Sequence, residues 1–185
     1  MSKIYAIVGP HASGKTELIR QLRDIGVPYI VGHTTRKPRP NEREGMDYHF
    51  VTREAFLKID FVEKSSYQGE YYGITKPQLL QSIQNNAVNI VLLDQNGVKQ
   101  LKKFLGNALQ SIYLMVDYVS MVKRMVSRGE NNVLMKKNLE YAEANGEFDG
   151  WKTADYVVKN TVPDTTVNQV LAIMGLLSQE QNFSL

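Results

Sequence analysis

The chain has 185 residues, of which 43% are hydrophobic and 22% charged, so it can bury a substantial core. Its net charge of +3 is too small to argue for a nucleic-acid-binding protein, and the absence of cysteine excludes disulfides and thiolate metal sites. No apolar run is long enough for a signal peptide or a membrane span. We therefore predict a cytoplasmic monomer or homodimer without nucleic-acid or membrane partners.

Short apolar runs alternate with helix-like stretches along most of the chain. Buried strands are predicted at 3–8, 28–31, 88–93, 111–116 and 155–158. Helices are predicted at 15–25, 76–86, 96–106, 119–128 and 164–178. This alternation predicts an α/β fold in which a parallel five-stranded sheet is flanked by helices.

Two segments interrupt this alternation. Residues 33–75 are polar and turn-rich, with short strands predicted at 47–51, 61–66 and 70–73 and a helix at 53–59. Residues 128–150 are charged, rich in amide side chains and predicted to be helical. We interpret both as inserts on one α/β core rather than as separate domains, and we expect the final SQEQNFSL to be frayed.

Between the first strand and the first helix, residues 9–16 read GPHASGKT and fit the pattern G-x-x-x-x-G-K-[ST]. Glycines let the backbone N–H groups of such a phosphate loop point at phosphate oxygens, with a helix N-terminus behind them. Lys15 would reach the β and γ phosphates, and the Thr16 hydroxyl would bind Mg²⁺. A glycine-rich turn with a surface lysine is the structural alternative. The predicted ATP-binding residues of this segment are Gly9, Pro10, His11, Ala12, Ser13, Gly14, Lys15, Thr16 and Glu17.

Phosphate loops occur in kinases, motors, GTPases and translocases, so the loop alone does not define a function. The chain is short for a motor, and it lacks the N-K-x-D motif with which GTPases bind guanine. A small-molecule kinase fits better, and such an enzyme needs a second site for the phosphoryl acceptor.

Residues 32–50, GHTTRKPRPNEREGMDYHF, contain the side chains expected of such a site. Arg36 and Arg39 flank Pro38, so a turn can direct both guanidinium groups at one phosphate dianion. With the later FVEKSSYQGEYYG, this segment resembles guanylate kinases, which carry S-x-T-T-R-x-x-R-x-x-E-x-x-G-x-D-Y-x-F, then a glutamate, then G-x-Y-Y-G. The resemblance extends from the phosphate loop to DYVVKN at 155–160.

The resemblance implies a single guanylate-kinase-like domain over 1–185, with a P-loop kinase core formed by 1–31 and 76–185. It also implies a monophosphate-binding insert at 32–75, here called the monophosphate segment, and a helical lid segment at about 124–150. The reaction implied is Mg²⁺-dependent phosphoryl transfer from ATP to GMP or dGMP, giving ADP and GDP.

For GMP, the resemblance implies that Arg36, Arg39, Tyr48 and Tyr72 bind the phosphate, while Glu63 and Asp94 read the base. Thr75 is a further candidate for the base. Each has a structural alternative: a solvated charge for the arginines, aromatic packing for the tyrosines, an exposed strand position for Glu63 and a helix N-cap for Asp94. Tyr71 is predicted to be the packing member of the Tyr71–Tyr72 pair.

For ATP, the resemblance implies that Arg124 and Arg128 of the lid segment flank the triphosphate, and that Asn160 lies near the adenine. The two arginines are four apart and share a helix face, where an anion would offset their repulsion. Phosphoryl transfer depends on positioning and on neutralising charge. The predicted catalytic residues are Lys15, Arg36, Asp94, Arg124 and Arg128.

The sequence departs from the family pattern at four places. Gly32 and Ile74 replace the two hydroxyl residues that contact guanine O6, although Thr75 follows directly. Leu92 replaces an acidic residue, and Lys136-Lys137-Asn138 stands where a third lid arginine is expected. We therefore expect weakened guanine selectivity. The alternatives are a binding module that has lost catalysis and a P-loop kinase for another small phosphorylated acceptor.

Overall fold

The computed structural model describes residues 2–177, so the predicted frayed tail SQEQNFSL lies outside the described residues. The strands are β1 (Lys3–Val8), β2 (Tyr29–Ile30), β3 (His33–Thr34), β4 (His49–Phe50), β5 (Phe61–Tyr67), β6 (Glu70–Thr75), β7 (Val88–Leu92), β8 (Leu109–Met115) and β9 (Tyr156–Lys159). The helices are α1 (Lys15–Asp24), α2 (Arg53–Phe56), α3 (Lys76–Asn85), α4 (Gln95–Leu105), α5 (Tyr118–Ser127), α6 (Asn132–Ala144) and α7 (Pro163–Met174). Short 3-10 helices lie at Gly106–Ala108 and Glu147–Lys152.

The predicted α/β class is confirmed. Five strands form one sheet in the order β2-β7-β1-β8-β9, and these are the five strands predicted from apolar runs. The pairs β2–β7 and β8–β9 are parallel. A second sheet has the order β4-β3-β6-β5. Its strand β3 is not predicted from the sequence, because a strand of two residues shows no detectable alternation.

The chain divides into two compact units, Met1–Ala6 with Val27–Gln110 and Ile7–Gly26 with Ser111–Leu185. In the first unit, β5 and β6 form an antiparallel hairpin whose turn residues Gln68 and Gly69 both have positive φ. Helix α4 contacts β5 and begins after Asp94, which caps it. The leucines that α3 and α4 direct into the core, Leu79 and Leu101, are fully buried.

In the second unit, α5 and α6 begin after side-chain caps provided by Asp117 and Asn131. Met121 and Met125 of α5 pack against Ala12 of the phosphate loop in a small apolar cluster. Partly buried apolar side chains of the lid segment extend this cluster: Met135, Leu139 and Phe148. The lid segment and the phosphate loop therefore share one core. No helix within residues 2–177 is long and apolar enough to cross a membrane.

Candidate functional site

The phosphate loop turns between β1 and α1 through two glycines in positive-φ conformations, Gly9 at 148° and Gly14 at 98°. The Ser13 N–H donates to the Pro10 carbonyl at 3.2 Å, and the Leu18 N–H donates to the Gly14 carbonyl at 3.0 Å where the helix begins. A Cβ atom on Gly14 would overlap the side-chain amide of Asn160. Gly14 is therefore required both for its backbone conformation and for this close approach.

The Lys15 ammonium group lies over the loop and donates to the carbonyls of Gly9 at 2.6 Å and Pro10 at 2.8 Å. Thr16 follows in the first turn of α1. Glu17 is exposed and pairs with Arg20 at 3.4 Å, so its side chain lies on the outer face of the helix.

The Ser13 carbonyl connects the loop to α5 and to the segment after β9. It accepts hydrogen bonds from Arg124 Nη1 at 2.8 Å and from Asn160 Nδ2 at 2.7 Å. Arg124 Nη2 also donates to the Asn160 carbonyl at 2.8 Å, and the Thr166 hydroxyl donates to Asn160 Oδ1 at 2.9 Å. The side chain of Asn160 is buried and holds the loop in place.

Arg124 and Arg128 differ in their surroundings. Burial, and then repulsion from Arg128, lower the pKa of Arg124, whose guanidinium group lies on the loop. The Arg128 side chain forms no hydrogen bond or ion pair within residues 2–177, although its charge is felt by Arg124 and His11. An anion at the loop would relieve the repulsion between the two arginines.

In the first unit, Arg36 and Glu42 form a bidentate ion pair, with Nη1–Oε2 at 2.9 Å and Nη2–Oε1 at 2.8 Å. Glu42 Oε2 also accepts from the Arg39 backbone N–H at 2.8 Å. Desolvation lowers the pKa of Arg36, but the hydrogen bonds and charge of Glu42, together with Tyr72, outweigh it and leave that pKa raised. Sequence reasoning gave Glu42 no role, although it occupies the glutamate position of the R-x-x-R-x-x-E motif.

The structure brings Arg36, Tyr48 and Tyr72 together. The Arg36 guanidinium carbon lies 5.6 Å from the centre of the Tyr48 ring, and the rings of Tyr48 and Tyr72 are 5.8 Å apart. Burial raises the pKa of Tyr48 well above its ordinary value, so its hydroxyl stays protonated as a hydrogen-bond donor. Arg39 is exposed, and its charge helps to lower the pKa of Glu42. Tyr71 stacks on Phe56 at 5.5 Å, which confirms its predicted packing role.

Glu63 and Asp94 also lie close together. Glu63 is only 3% exposed, so it is not the exposed strand residue of the structural alternative. Burial, and then the charge of Asp94, raise the pKa of Glu63 to about 8. Asp94 Oδ1 accepts from the Gly97 N–H at 2.6 Å, which confirms its alternative role as a helix N-cap.

Gly97 is a residue that sequence reasoning missed. A Cβ atom there would lie 2.7 Å from Glu63 Oε1. Glycine is a poor helix former, so a glycine at the second position of the predicted helix 96–106 indicates that something other than helix propensity selects it.

Gly32 and Ile74, which stand where the family pattern has hydroxyl-bearing residues, are both apolar. Ile74 is 2% exposed and pairs across the hairpin with Glu63. A Cβ atom on Gly32 would lie 3.3 Å from the Gly73 carbonyl oxygen. Thr75 caps α3: its hydroxyl accepts from the Gln78 N–H at 3.4 Å and donates to Gln78 Oε1 at 2.8 Å. The Thr75 hydroxyl proton is therefore engaged within the protein.

Within residues 2–177, no three histidine, aspartate or glutamate side chains are grouped so that they could hold a metal ion. Thr16 lies directly after Lys15 and is the residue of the phosphate loop suited to Mg²⁺. A threonine hydroxyl at this loop position suits Mg²⁺, because phosphate-loop proteins hold the ion through this hydroxyl together with substrate phosphates.

Comparison with known proteins gives a consistent result. The family model described as guanylate kinase matches residues 1–176. A guanylate kinase of Pseudomonas fluorescens is 30% identical over 163 residues, which cover 85% of this chain and 79% of that protein. A guanylate kinase of Alkalilimnicola ehrlichii is 30% identical over 179 residues, which cover 92% of this chain and 86% of that protein. The crystal structure of guanylate kinase from Anaplasma phagocytophilum aligns with this chain with a TM-score of 0.72 at 21% sequence identity. The alignment covers 96% of this chain and 88% of the Anaplasma chain, and it supports the same fold.

Proposed function

The chain belongs to the guanylate kinase family, and from this membership we propose that it transfers the γ-phosphoryl of ATP to GMP or dGMP, giving ADP and GDP or dGDP. The observation that carries the proposal is the surroundings of Glu63. This buried carboxyl accepts no hydrogen bond within residues 2–177, and its cross-strand neighbour Ile74 is apolar. A buried polar group without a partner is rare in a folded protein. Guanine supplies the missing donors, because it presents N1–H and the 2-amino group side by side.

We assign the ATP site to the phosphate loop and the lid segment. The backbone of Gly9, Pro10, His11, Ala12, Ser13 and Gly14 surrounds the phosphates, and Lys15 leaves the Gly9 and Pro10 carbonyls to bind the β and γ phosphates. Arg124 and Arg128 neutralise the triphosphate. Mg²⁺, held by Thr16 and phosphate oxygens, would neutralise further charge on the transferring group.

Asn160 and Glu17 have other roles in the ATP site. Asn160, which is expected near the adenine, also holds Ser13 through its side-chain amide, whose oxygen accepts from Thr166. Glu17 is exposed and lies in the first turn of α1, so it contributes only to the negative charge near the loop.

We assign the GMP site to the monophosphate segment and the start of α4. Arg36 and Arg39 bind the phosphate together with the Tyr48 and Tyr72 hydroxyls. Glu63 and Asp94 bind the base, while Thr75 supports the site as the cap of α3.

The chemical step forms a bond between a GMP phosphate oxygen and the γ-phosphorus of ATP. The bond from that phosphorus to the β–γ bridging oxygen breaks, and ADP leaves with both electrons. The reacting groups need positioning and cancellation of negative charge, for which Lys15, Arg36, Arg124 and Arg128 are the candidates. The alternative of a binding module without catalysis is not favoured, because Gly9, Gly14, Lys15 and Thr16 are all retained.

A coupled assay of ADP release tests the proposal, with ATP, Mg²⁺ and a panel of GMP, dGMP, IMP, AMP, CMP and UMP. We expect turnover with GMP and dGMP, and with IMP at most weakly because it lacks the 2-amino group. Preferred turnover of a different monophosphate would show that the base site does not select guanine. Binding of ATP without turnover of any monophosphate would contradict the proposal.

A further inference from the structure

His11 occupies a variable position of the phosphate loop, and its side chain contacts the lid segment. Its Nε2 lies 2.9 Å from Glu130 Oε1 and 3.3 Å from Asn138 Nδ2. Asn138 Nδ2 in turn donates to Glu130 Oε2 at 2.7 Å. The His11 backbone N–H donates to Glu147 Oε2 at 3.2 Å. We call these four residues the His11 cluster.

The chemistry of the cluster defines how its members bind one another. An ionised carboxylate only accepts hydrogen bonds, so Nε2 of His11 carries a proton and donates to Glu130. Burial lowers the pKa of His11 despite the nearby Glu130 carboxylate, and the imidazole is therefore the neutral Nε2–H tautomer near pH 7. Asn138 is 3% exposed, so its amide requires hydrogen-bond partners within the protein, and Glu130 is one of them.

The members of the cluster come from separate parts of the lid segment. Glu130 lies in the turn between α5 and α6, Asn138 lies on α6, and Glu147 begins the 3-10 helix that follows. All three converge on one residue of the phosphate loop. Asn138 also falls in the stretch 136–138, where the family resemblance predicts an arginine.

We propose that His11 is a positioning residue that binds the lid segment to the phosphate loop before ATP arrives. This inference rests on the proposed function, because it concerns the ATP site of that reaction. With the lid segment held on the loop, Arg124 and Arg128 are already near the triphosphate. Binding ATP then orders fewer residues, and this preorganisation favours affinity.

Losing the His11 cluster should affect the binding of ATP and not that of GMP. The His11 cluster lies within the unit formed by Ile7–Gly26 with Ser111–Leu185, while the GMP residues Arg36, Tyr48 and Glu63 lie in the other unit. Loss of the cluster should therefore raise KM for ATP and leave KM for GMP unchanged. A general loss of stability would instead reduce the amount of active enzyme without altering either KM.

The test uses four variants of the full chain. His11→Ala removes the hydrogen bond, and His11→Gln restores an N–H donor with similar reach. Glu130→Gln preserves shape but cannot accept from both His11 and Asn138. Glu140→Gln is the matched control, because it neutralises an exposed carboxylate of α6 outside the cluster.

Hydrogen–deuterium exchange of the nucleotide-free protein is the readout that does not depend on activity. We expect exchange over Asn132–Ala144 to accelerate about tenfold in His11→Ala and Glu130→Gln, and to return toward the wild-type rate in His11→Gln. Exchange in α7 should not change. KM for ATP should rise about tenfold in the same two variants.

Unchanged exchange over α6 in both His11→Ala and Glu130→Gln would overturn the proposal, and so would acceleration spread evenly over α1, α6 and α7. The outcome is separable from that of the proposed function. If the enzyme turned over no monophosphate, the exchange data would still report whether His11 holds the lid segment.

Discussion

Glu42 holds the guanidinium group of Arg36 through two hydrogen bonds of 2.9 and 2.8 Å, and one of its carboxylate oxygens also binds the Arg39 backbone. One carboxylate thus sets the position of both arginines proposed to bind the GMP phosphate. Because the pair is shielded from solvent, its geometry is held more firmly than that of a surface ion pair.

Replacing Glu42 by glutamine removes the charge but keeps the shape. One amide end can no longer accept from Arg36, so the guanidinium loses its bidentate alignment. We expect KM for GMP to rise about tenfold with KM for ATP unchanged, measured by initial rates. Glu54→Gln, which alters an exposed carboxylate of α2, is the control. Equal KM for GMP in both variants would show that Glu42 does not position Arg36.

Lys15→Ala removes the ammonium group proposed to bind the β and γ phosphates. We expect kcat to fall by about 10²–10³-fold, because a fixed charge stabiliser of the transition state is lost. GMP affinity, measured by calorimetry, should be retained. Lys58→Ala, at an exposed position, should behave as the wild type. Loss of GMP binding in Lys15→Ala would contradict the separation of the ATP and GMP sites.

Glu63 should couple GMP binding to proton release. Its pKa of about 8 means that the free protein holds the proton at pH 7, whereas a carboxylate binds the guanine N1–H and 2-amino donors best. GMP affinity should therefore rise with pH up to about 8, by at most about tenfold per unit. Calorimetry at pH 7 in two buffers of different ionisation enthalpy measures the released proton. Glu63→Gln should release none, and equal enthalpies for the wild type in both buffers would refute the coupling.

The Glu63 carboxyl should also make the free energy of unfolding depend on pH. The folded pKa of about 8 lies above the ordinary value of 4.5, so between these values the folded protein binds a proton that the unfolded chain has lost. This contribution to the free energy of unfolding is present below pH 4.5 and decreases as pH rises toward 8. Urea unfolding at several pH values should show a shallower decline for Glu63→Gln. Parallel pH profiles for the two proteins would argue against a buried protonated Glu63.

Ile74→Ser restores a hydroxyl beside Glu63. We expect KM for GMP to decrease and GMP to be preferred more strongly over AMP, because guanine O6 gains a hydrogen bond worth about 1 kcal/mol and adenine has no O6. The side chain is buried, so the variant should also be less stable by about 2–4 kcal/mol. Ile74→Ala is the matched control, since it creates the cavity without the hydroxyl. An equal KM in both variants would indicate that no contact to O6 was gained.

The sequence predicted features that depend on local pattern. The run KIYAIV became β1 without change, because a continuous apolar stretch of that length is typical of a buried parallel strand. The helix N-cap at Asp94 followed from an acidic residue directly before a helical stretch. These features require information from only a few neighbouring residues.

Features that depend on distant partners could not be predicted in this way. Asn138 lies 127 residues from His11, and nothing in either local sequence indicates their contact. The sequence contains Glu42 and Gly97 within recognisable patterns, but their roles depend on where Arg36 and Glu63 lie in the folded chain. The sequence offers Thr75 as a candidate ligand for the base, whereas its hydroxyl caps the helix that begins beside it.

The hydrogen bond from Asn160 to the Ser13 carbonyl spans 147 residues, and this has a consequence for synthesis on the ribosome. The loop motif at 9–16 leaves the ribosome well before Asn160, the residue that holds its backbone. Contacts of such long range form late, because closing the intervening chain costs entropy. Nucleotide binding should thus arise only after Asn160 has been synthesised, and a nascent chain ending before β9 should not retain ATP.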